Sequence, residues 1–440
     1  MFLIEKDTAI TPTKILDFIN KYHNGEKSKL QRYYDYYTGK QDILFKPKVA
    51  KDRPCNRVVA NYCLAIVNNY NGYLTGKDIT YSSSCDFSSI QNVLNYNDVQ
   101  QADNQLLKNA LIYGVAYEIC YIDEDGKQRF KVLDSRECFP IYDNTLNQDL
   151  MAVVRYYPID NYNLSKGYYV EVYDKSNVYV YKTTDTFSSM TLINQKPHYY
   201  NMVPITVFYL NEEKRSIFDS IMDLQDAYNK LVSAEIDSFE EFAEAYMIIK
   251  GIYIDEDQLE DFRTKRLINV IGDGSGSEVD VSYLTKNIND TQIENILTNI
   301  NNMIHKIANS PDFTQENFGT SSGIALRYRL LGFENISSAI EKQMTKAIQR
   351  RLELICSILN LTGEESIWRD VQIQFKRNLP IDLADIINSV NGLRGLVSDK
   401  TLLSQIPFVQ DIEEEITLIN AQKQENATIY SFTPVEEDDE

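Results

Sequence analysis

The sequence predicts an α+β protein in which helices and a mostly antiparallel sheet come first and long helices follow. Between residues 115 and 210, apolar and polar residues alternate in short runs, which is the spacing of half-buried strands. From Ser216 onward the apolar residues recur every three or four positions, over segments far longer than an average helix. The length of 440 residues exceeds one compact domain, so we expect several domains or one large subunit of an assembly.

The composition is that of a folded chain with an excess of acidic residues. Hydrophobic residues make up 43% and charged residues 25%, both ordinary values for globular proteins. The 64 Asp and Glu outnumber the 44 Lys and Arg, which argues against a simple nucleic-acid clamp, because phosphate binding needs clustered basic residues. No apolar run reaches the roughly 18 residues of a membrane span, and the charged N-terminus does not fit a signal peptide. The six cysteines lack metal spacing, so we expect buried reduced thiols in a cytosolic product.

Residues 1–215 are predicted to fold as helices followed by the sheet. Three helices are expected, at 13–39, 56–75 and 98–113. Asp125-Gly126 separates two alternating runs, 116–122 and 129–133, which is a strong hairpin signal. Further strands are predicted at 150–157, 168–173, 177–182 and 204–210.

Residues 216–250 contain neither proline nor glycine and are predicted to form one helix about 50 Å long. Its apolar residues form one stripe, and acidic residues repeat with the same rhythm two positions away. Two residues turn a helix by about 200°, so an acidic face is expected opposite the apolar one. This acidic face comprises Asp219, Asp223, Asp226, Asp237, Glu241 and Glu244.

A small α/β insert is predicted between this helix and the next. A short charged helix at 256–265 leads to an apolar strand at 267–271, a glycine-rich turn and a second strand at 279–283. Residues 290–309 then return to a helix that stops at Ser310-Pro311-Asp312. The simplest geometry is an antiparallel helix pair that carries the insert at its tip.

The C-terminal part is predicted to be mainly helical. A polar loop, 312–322, precedes a second long helix expected from about Gly323 to Leu361, with Gly332 as a candidate kink. An alternating run at 368–376 predicts a strand. Residues 381–426 are expected to be mostly helical with an interruption near Pro407, and the last five residues are all acidic.

Four motifs invite a chemical function, and a structural interpretation is favoured for each. The run Gly272-Asp273-Gly274-Ser275-Gly276 departs from a dinucleotide site, because its third glycine comes one residue early and a strand follows. Asp123-Glu124-Asp125 lies in the hairpin turn, where acids are usually solvated. Ser321 and Ser322 are more typical of a helix N-cap than of a nucleophile. The acidic tail is expected to be solvated rather than a docking peptide.

The sequence also lacks the signature of a nucleotide-driven motor. No GxxxxGKS or GxxxxGKT motif occurs, so a P-loop is not predicted. The three histidines have no local partner that would suggest acid–base catalysis. We therefore expect no catalytic residue, no cofactor and no metal site.

Six blocks occur in a fixed order along nearly the whole chain: Tyr33-Tyr34-Asp35-Tyr36-Tyr37-Thr38-Gly39, Asn56-Arg57-Val58-Val59-Ala60-Asn61-Tyr62 with Gly72-Tyr73-Leu74-Thr75-Gly76, Ala110-Leu111-Ile112-Tyr113-Gly114-Val115-Ala116-Tyr117, Asp226-Ala227-Tyr228-Asn229 with Ser233, Pro311-Asp312-Phe313-Thr314 with Ser322-Gly323-Ile324-Ala325-Leu326, and Phe375 with Asn378-Leu379-Pro380. Together they resemble the portal, or head-to-tail connector, proteins of tailed bacteriophages, siphophage type. The block that begins at Pro311 is the most specific.

The resemblance implies a portal-type subunit in a ring, typically of twelve copies, at one vertex of the viral head. It implies an α/β wing, a two-helix stem, a small α/β clip, a tunnel loop, a long kinked helix and a helical crown. The corresponding segments are 1–215 for the first part of the wing, 216–250 and 287–310 for the stem, 251–286 for the clip, 311–322 for the tunnel loop, 323–380 for the long helix and wing strand, and 381–440 for the crown and acidic tail. The tunnel-loop residues expected to line the channel are Thr314, Gln315, Glu316, Asn317 and Phe318.

The resemblance further implies a channel for DNA packaging and ejection in a protein that is not an enzyme. The implied partners are a terminase motor, major capsid and scaffolding proteins, head-completion or tail-adaptor proteins, and double-stranded DNA that passes without sequence-specific binding. The chain would be a virion component assembled in the host bacterial cytoplasm, with no membrane partner. A net charge of −20 suits a conduit that repels its cargo. Two alternatives stay open: another virion structural protein, such as a scaffold or capsid subunit, and a metal-dependent DNA-processing enzyme.

Overall fold

The structure is a computed structural model that describes residues 2–6, 8–48, 53–243, 247–250, 280–283, 290–313, 323–359, 367–378, 390–403, 406, 409 and 412–430. These residues combine helices and sheets, as predicted for an α+β protein. The chain divides into two compact units, Met1–Asn378 and Leu379–Glu440.

The described strands all belong to the first unit. In chain order they are β1 (Phe2–Ile4), β2 (Thr80–Ser82), β3 (Val115–Ile122), β4 (Gln128–Leu133), β5 (Cys138–Asp143), β6 (Leu150–Pro158), β7 (Tyr168–Tyr173), β8 (Asn177–Thr183), β9 (Met190–Pro197), β10 (Ile205–Tyr209), β11 (Met247–Lys250), β12 (Asp280–Tyr283) and β13 (Gln372–Gln374). One sheet has the order β1-β5-β6-β7-β8-β9 and is antiparallel except where β1 lies beside β5. A second sheet has the order β10-β3-β4, and β2 pairs with β13 and β11 with β12.

The strands predicted between residues 115 and 210 from alternating residues are confirmed, and two long strands in that region show no such alternation. β5 is buried at five of its six positions and contains Pro140, so its sequence shows no alternation. β9 has the opposite character, since it is exposed at seven of its eight positions. Both strands lack the one-sided burial that produces a period of two.

The predicted hairpin β3–β4 is confirmed, and its acidic turn has a structural role. One carboxylate oxygen of Asp123 accepts the backbone N–H groups of Asp125 and Lys127, at 3.1 and 2.9 Å. Gly126 follows with a positive φ of 76°, which favours glycine. The interpretation of these acids as a turn rather than a metal site agrees with this geometry.

The helices of the first unit are α1 (Pro12–Asn24), α2 (Glu26–Tyr37), α3 (Tyr62–Thr75), α4 (Ser88–Tyr96), α5 (Val99–Tyr113), α6 (Met222–Ala243), α7 (Asp290–Ile307), α8 (Gly323–Leu359) and α9 (Ile367–Asp370). The second unit contains α10 (Asp399–Leu403) and α11 (Ile412–Tyr430). The single helix predicted at 13–39 is wrong, because Gly25 separates α1 from α2 with φ −118° and ψ −87°. The helix predicted from residue 56 begins only at Tyr62, where the Asn61 side chain caps the N–H of Leu64 at 3.1 Å.

Aromatic side chains hold α1 against the six-stranded sheet. The ring of Tyr22 packs on Phe139 and Tyr156, with centroids 5.0 and 6.0 Å apart. The Tyr22 hydroxyl donates to the carbonyl of Ser135 at 2.9 Å, so the polar end of this buried residue is satisfied. The abundant tyrosines thus serve the core of the first unit as well as its surface.

The long helix predicted at 216–250 is shorter in the structure. A 3-10 turn occupies Asp219–Ile221, α6 follows, and Met247–Lys250 is a strand rather than helix. This strand pairs with Asp280–Tyr283. The sequence instead predicted 267–271 as the strand before Asp280–Tyr283, and 267–271 lies outside the described residues. Helices α6 and α7 pack together and continue into paired strands, so they run in opposite directions as predicted.

The C-terminal half of helix α8 is fixed to the rest of the first unit by a buried ion cluster. Arg351 is fully buried and donates to Asp103 at 2.6 Å and to Glu118 at 2.6 and 2.8 Å. The Tyr81 hydroxyl also donates to Asp103. The cluster joins α8 to α5 and to strand β3, so these elements keep one relative position.

Two further predictions about the C-terminal part need correction. The strand expected at 368–376 is only Gln372–Gln374, because Trp368 lies in the short helix α9. Helix α11 extends to Tyr430, past the predicted end at 426, and Pro407 lies outside the described residues. A Cβ on Gly332 would lie 2.6 Å from Oδ1 of Asn309, so this glycine allows α8 to approach the end of α7. The kink at Gly332 stays a prediction.

Candidate functional site at the base of the helix pair

Helix α6 carries a polar stripe on the side that packs against the N-terminal part of the chain. Gln225, Asn229, Ser233 and Asp237 recur every four positions, which places them on one face of the helix. The first three are fully buried, although their side chains are polar. Buried polar groups need partners, so this stripe must bind something within the chain.

The partner is the segment 56–62, called here the strap. Its alternate backbone N–H groups donate in turn to the four side chains of the stripe. The bonds run from Tyr62 to Gln225 at 3.0 Å, from Ala60 to Asn229 at 2.9 Å, from Val58 to Ser233 at 3.0 Å and from Asn56 to Asp237 at 2.5 Å. Four helical residues rise about 6 Å and two extended residues about 6.6 Å, so the two spacings match. The strap therefore runs antiparallel to α6 in a defined register.

A second layer of amides completes the stripe. Gln225 donates to the carbonyl of Ala60 at 2.5 Å and to Asn229 at 3.0 Å, and Asn229 donates to Gln41 at 2.5 Å. Gln41 in turn donates to Asn61 at 3.2 Å. Because these amides satisfy one another in a buried place, the loss of any one leaves others unpaired.

Part of the predicted acidic face binds residues from the N-terminal part of the chain. Asp219 accepts the hydroxyl of Tyr33 at 2.5 Å, and Asp226 accepts that of Tyr36 at 2.7 and 2.9 Å. Asp237 accepts Lys46 at 3.0 Å in addition to the strap. Spacing along one helix could not reveal these partners, because the bonded residues lie more than 180 positions apart.

The other predicted acidic residues are placed differently. Asp223 is exposed on the first turn of α6. Glu241 lies in α6, and Glu244 lies outside the described residues. The structure thus assigns three of the six acids to contacts within the chain, and the role of this face toward DNA stays a prediction.

The environment moves the pKa of two of these carboxyl groups in opposite directions. Burial raises the pKa of Asp226 above its ordinary value, against the bond from Tyr36. Burial also acts to raise the pKa of Asp237, but the bonds from Asn56 and Lys46 outweigh it and the pKa is lowered. Asp237 is therefore held as a carboxylate, which strengthens its bonds to the strap.

Helix α3, which follows the strap, holds the entrance to the predicted tunnel loop. The Tyr70 hydroxyl donates to the carbonyls of Ala308 and Asn309 at 2.9 and 3.3 Å. Asn69 donates to the hydroxyl of Ser310 at 3.1 Å. The predicted loop residues Thr314, Gln315, Glu316, Asn317 and Phe318 lie outside the described residues, as do Ser321 and Ser322.

An open groove of about 540 Å³ lies beside this entrance. The ring of Tyr62 meets those of Tyr228 and His305 edge-on, with centroids 5.2 and 5.8 Å apart. Asn301 and Asp312 add polar groups, and no lysine or arginine lines the groove among the described residues. This set of aromatic and amide groups suits contact with protein rather than binding of phosphate.

Other kinds of site are not found in the part of the chain that the structure describes. No group of three or more His, Cys, Asp or Glu side chains there could hold a metal ion. No helix in the described ranges is long and apolar enough to cross a bilayer. All six cysteines are free, and four of them are buried.

The matching protein family and the relatives found by sequence agree with each other. The family described as "Phage portal protein, SPP1 Gp6-like" matches residues 16–428. The portal protein of Bacillus phage SPP1 is 25% identical over an alignment of 455 residues that covers 96% of this chain and 88% of that protein. The portal protein of Clostridium phage phiCD119 is 24% identical over 425 residues, which cover 89% of this chain and 92% of that protein. A solved structure titled "Neck of empty GTA particle computed with C6 symmetry" aligns with a TM-score of 0.43 and 11% identity, over 81% of this chain and 89% of that one.

Proposed function

The chain belongs to the SPP1 Gp6-like family of phage portal proteins, and from this membership we propose that it forms the ring through which DNA enters and leaves a phage head. A portal protein is a structural component of the virion and not an enzyme. The observation that carries the proposal is the family match over residues 16–428, which spans both the strap and helix α6. Both alternatives, a scaffold or capsid subunit and a metal-dependent enzyme, are set aside by this membership.

The proposed parts of the subunit follow the segments expected from the sequence. We assign the wing to 1–215 with 323–380, the stem to 216–250 with 287–310, and the clip to 251–286. Residues 311–322 are assigned to the tunnel loop and 381–440 to the crown. The packing of α6 against α7 and the strand pair that lies between them in sequence support the assignment of stem and clip.

The strap is the feature that suits α6 to the stem of a channel. A stem helix must stand at a fixed height while DNA moves past it, and four parallel bonds to the strap fix that height. The acids Asp223, Glu241 and Glu244, which have no role assigned within the chain, are proposed to face the channel. A negative lining repels phosphate and lets DNA pass without being held.

The proposed setting is one vertex of the capsid, with twelve subunits assembled through α6 and α8. The partners proposed from the family are the terminase motor, the major capsid and scaffolding proteins, and the head-completion or tail-adaptor proteins. Assembly is proposed to take place in the cytoplasm of the host bacterium. The tunnel-loop residues 314–318 are proposed to line the narrowest part of the channel.

Electron micrographs of the purified protein, averaged as end-on views, test the proposal. We expect a closed ring with a central hole, and native mass measurement gives the number of subunits. In assembled heads the protein should be present as a single ring, whereas a capsid subunit would be present in hundreds of copies. A wild-type protein that stays monomeric at micromolar concentration in both measurements contradicts the proposal.

A further inference from the structure

Helix α7 has more apolar surface than α6 covers. Ile304 is fully buried, and Leu297 and Ile300 are half-buried on the side of the helix pair. A second row, Ile296, Met303 and Ile307, stays 39%, 47% and 43% exposed. Met303 and Ile307 follow the inward-facing Ile300 and Ile304 by three positions, which is about 60° around the helix, and Ile296 lies two turns before Met303 on the same face. We call this row the α7 flank.

The start of α8 presents a second apolar surface. Helix α8 contacts the end of the helix pair at Gly332, beside Asn309, and helix α3 at Phe333, whose ring packs on Tyr70. Before Gly332 the helix continues for about two and a half turns toward Gly323. Tyr328 and Leu331, three positions apart on one face, are 75% and 54% exposed there.

The two surfaces do not cover each other within one chain, since both keep large exposed fractions. Exposed apolar side chains in clusters mark contact surfaces more often than single ones do. A ring built from identical subunits needs two different surfaces on each copy, one that meets the preceding subunit and one that meets the next. The α7 flank and the start of α8 are such a pair.

The charges around the α7 flank and at the start of α8 also favour contact between these two surfaces. Helix α6, beside the α7 flank, carries six acidic residues and one lysine. The segment 323–331 at the start of α8 contains no acidic residue, so its sequence carries a net positive charge. Opposite charges around an apolar contact fix its register and disfavour contact between two like surfaces.

We propose that the α7 flank of one subunit packs against the first turns of α8 in the neighbouring subunit. The proposal rests on the ring proposed above and names the surfaces that close it. The neighbour's Tyr328 and Leu331 would then cover Ile296, Met303 and Ile307 in each copy around the ring.

Disulfide trapping tests this contact between separately tagged chains. In a Cys55→Ser, Cys85→Ser background, one chain carries Met303→Cys and the other Leu331→Cys, and the two are produced together. We expect a disulfide that joins the two tags under mild oxidation and is absent when either chain is produced alone. Leu146, which is fully exposed elsewhere in the first unit, supplies the control: Leu146→Cys with Leu331→Cys should give no such product.

Each outcome decides a separate question. Rings that form but give no more Met303→Cys to Leu331→Cys product than the Leu146 control overturn the contact and leave the ring intact. A chain that carries both cysteines and closes the disulfide within a monomer shows that the surfaces meet inside one subunit, which also overturns the contact. If neither the wild type nor the Cys55→Ser, Cys85→Ser parent forms rings, the proposed function itself is contradicted. Leu331→Asp should reduce ring formation at least tenfold relative to Leu146→Asp.

Discussion

Asp237 accepts both the backbone N–H and the side-chain amide of Asn56, at 2.5 and 3.0 Å, although the two residues are 181 positions apart in sequence. Lys46 binds the second oxygen of the same carboxylate at 3.0 Å. Asp237 therefore ends the polar stripe with a charge-assisted contact, while the three residues before it make neutral ones. The strap is therefore held most strongly at its first residue, Asn56, and its alternate backbone N–H groups have acceptors along its whole length.

Ser233→Ala should release one bond of the strap and leave the others in place. The hydroxyl of Ser233 accepts the N–H of Val58 at 3.0 Å, and alanine has no acceptor at that position. We expect the Val58 amide to exchange with solvent at least tenfold faster, with smaller changes at Ala60 and Tyr62. Hydrogen exchange resolved by residue checks this, with Ala234→Gly as a control on the exposed side of α6. Unchanged exchange at Val58 would contradict the assigned register.

Asn229→Ala should destabilise the first unit more than a change on the exposed side of the same helix. It leaves the N–H of Ala60 without its acceptor and Gln41 without its donor. Each buried polar group left unpaired costs about 1–3 kcal/mol. Lys230→Ala, an exposed neighbour, should change the free energy of unfolding by about 0.5 kcal/mol or less. Urea denaturation of both variants measures the difference.

Gly332→Ala should lower stability through a single clash that a second substitution removes. The added Cβ would lie 2.6 Å from Oδ1 of Asn309. Overpacking of this kind costs about 1–3 kcal/mol. Asn309 has a positive φ of 47°, so Asn309→Gly suits its backbone and removes the clashing amide. In a double-mutant cycle, we expect the Gly332→Ala, Asn309→Gly variant to be more stable than the summed effects of the two single substitutions predict. Strictly additive changes in the free energy of unfolding would contradict the contact.

Arg351→Ala should be far more destabilising than Arg350→Ala next to it. Arg351 is buried between Asp103 and Glu118, and removal of one partner of a buried ion pair costs about 3–5 kcal/mol. Arg350 pairs with Glu353 where both are partly exposed, which is worth about 0–1 kcal/mol. Burial raises the pKa of Glu118 above its ordinary 4.5, and Arg351 opposes that rise. The loss of unfolding free energy in Arg351→Ala, relative to the wild type, should therefore grow as the pH rises above 4.5. Denaturation of both proteins at several pH values measures it.

Acidification below about pH 6.5 should weaken the first unit through His23 and His198. Burial lowers the pKa of both, and Lys27 adds to the effect at His23. Nδ1 of His198 accepts the N–H of Tyr200 at 3.3 Å, so protonation there breaks a bond. The unfolded chain then binds more protons than the folded one, and the free energy of unfolding falls as the pH falls. His198→Asn should flatten this dependence; an unchanged slope would contradict the assignment.

The sequence predicted those parts of the fold that depend on neighbouring residues. Asp125-Gly126 predicted the β3–β4 hairpin, and the apolar period predicted α5, α7 and α8 almost to the residue. The helical spacing of Val58, Val59 and Tyr62 predicts a helix for the strap, whereas its actual partners lie on α6. Likewise, no local sequence pattern predicts that Tyr33 and Tyr36 bind carboxylates of a distant helix.

One signal for the strap was present in the sequence. Gln225, Asn229, Ser233 and Asp237 interrupt an otherwise apolar and acidic helix with polar residues at every fourth position. Such a row on a buried face requires an external set of donors or acceptors with a spacing of about 6 Å. The alternate backbone N–H groups of an extended segment supply that spacing. The blocks around Asn56 and Asp226 that resemble portal proteins contain the two sides of this contact.

The register between the strap and α6 makes the stem respond differently to force in different directions. A push along the axis of α6 stretches all four bonds at once, because each is displaced by the same amount. A sideways force at the far end of α6 instead opens them one after another, beginning at Asn56. The helix is thus stiff under thrust and compliant in bending. In the proposed portal ring, such a subunit would transmit the recoil of moving DNA to the proposed wing and would let its tip follow a partner that turns or tilts.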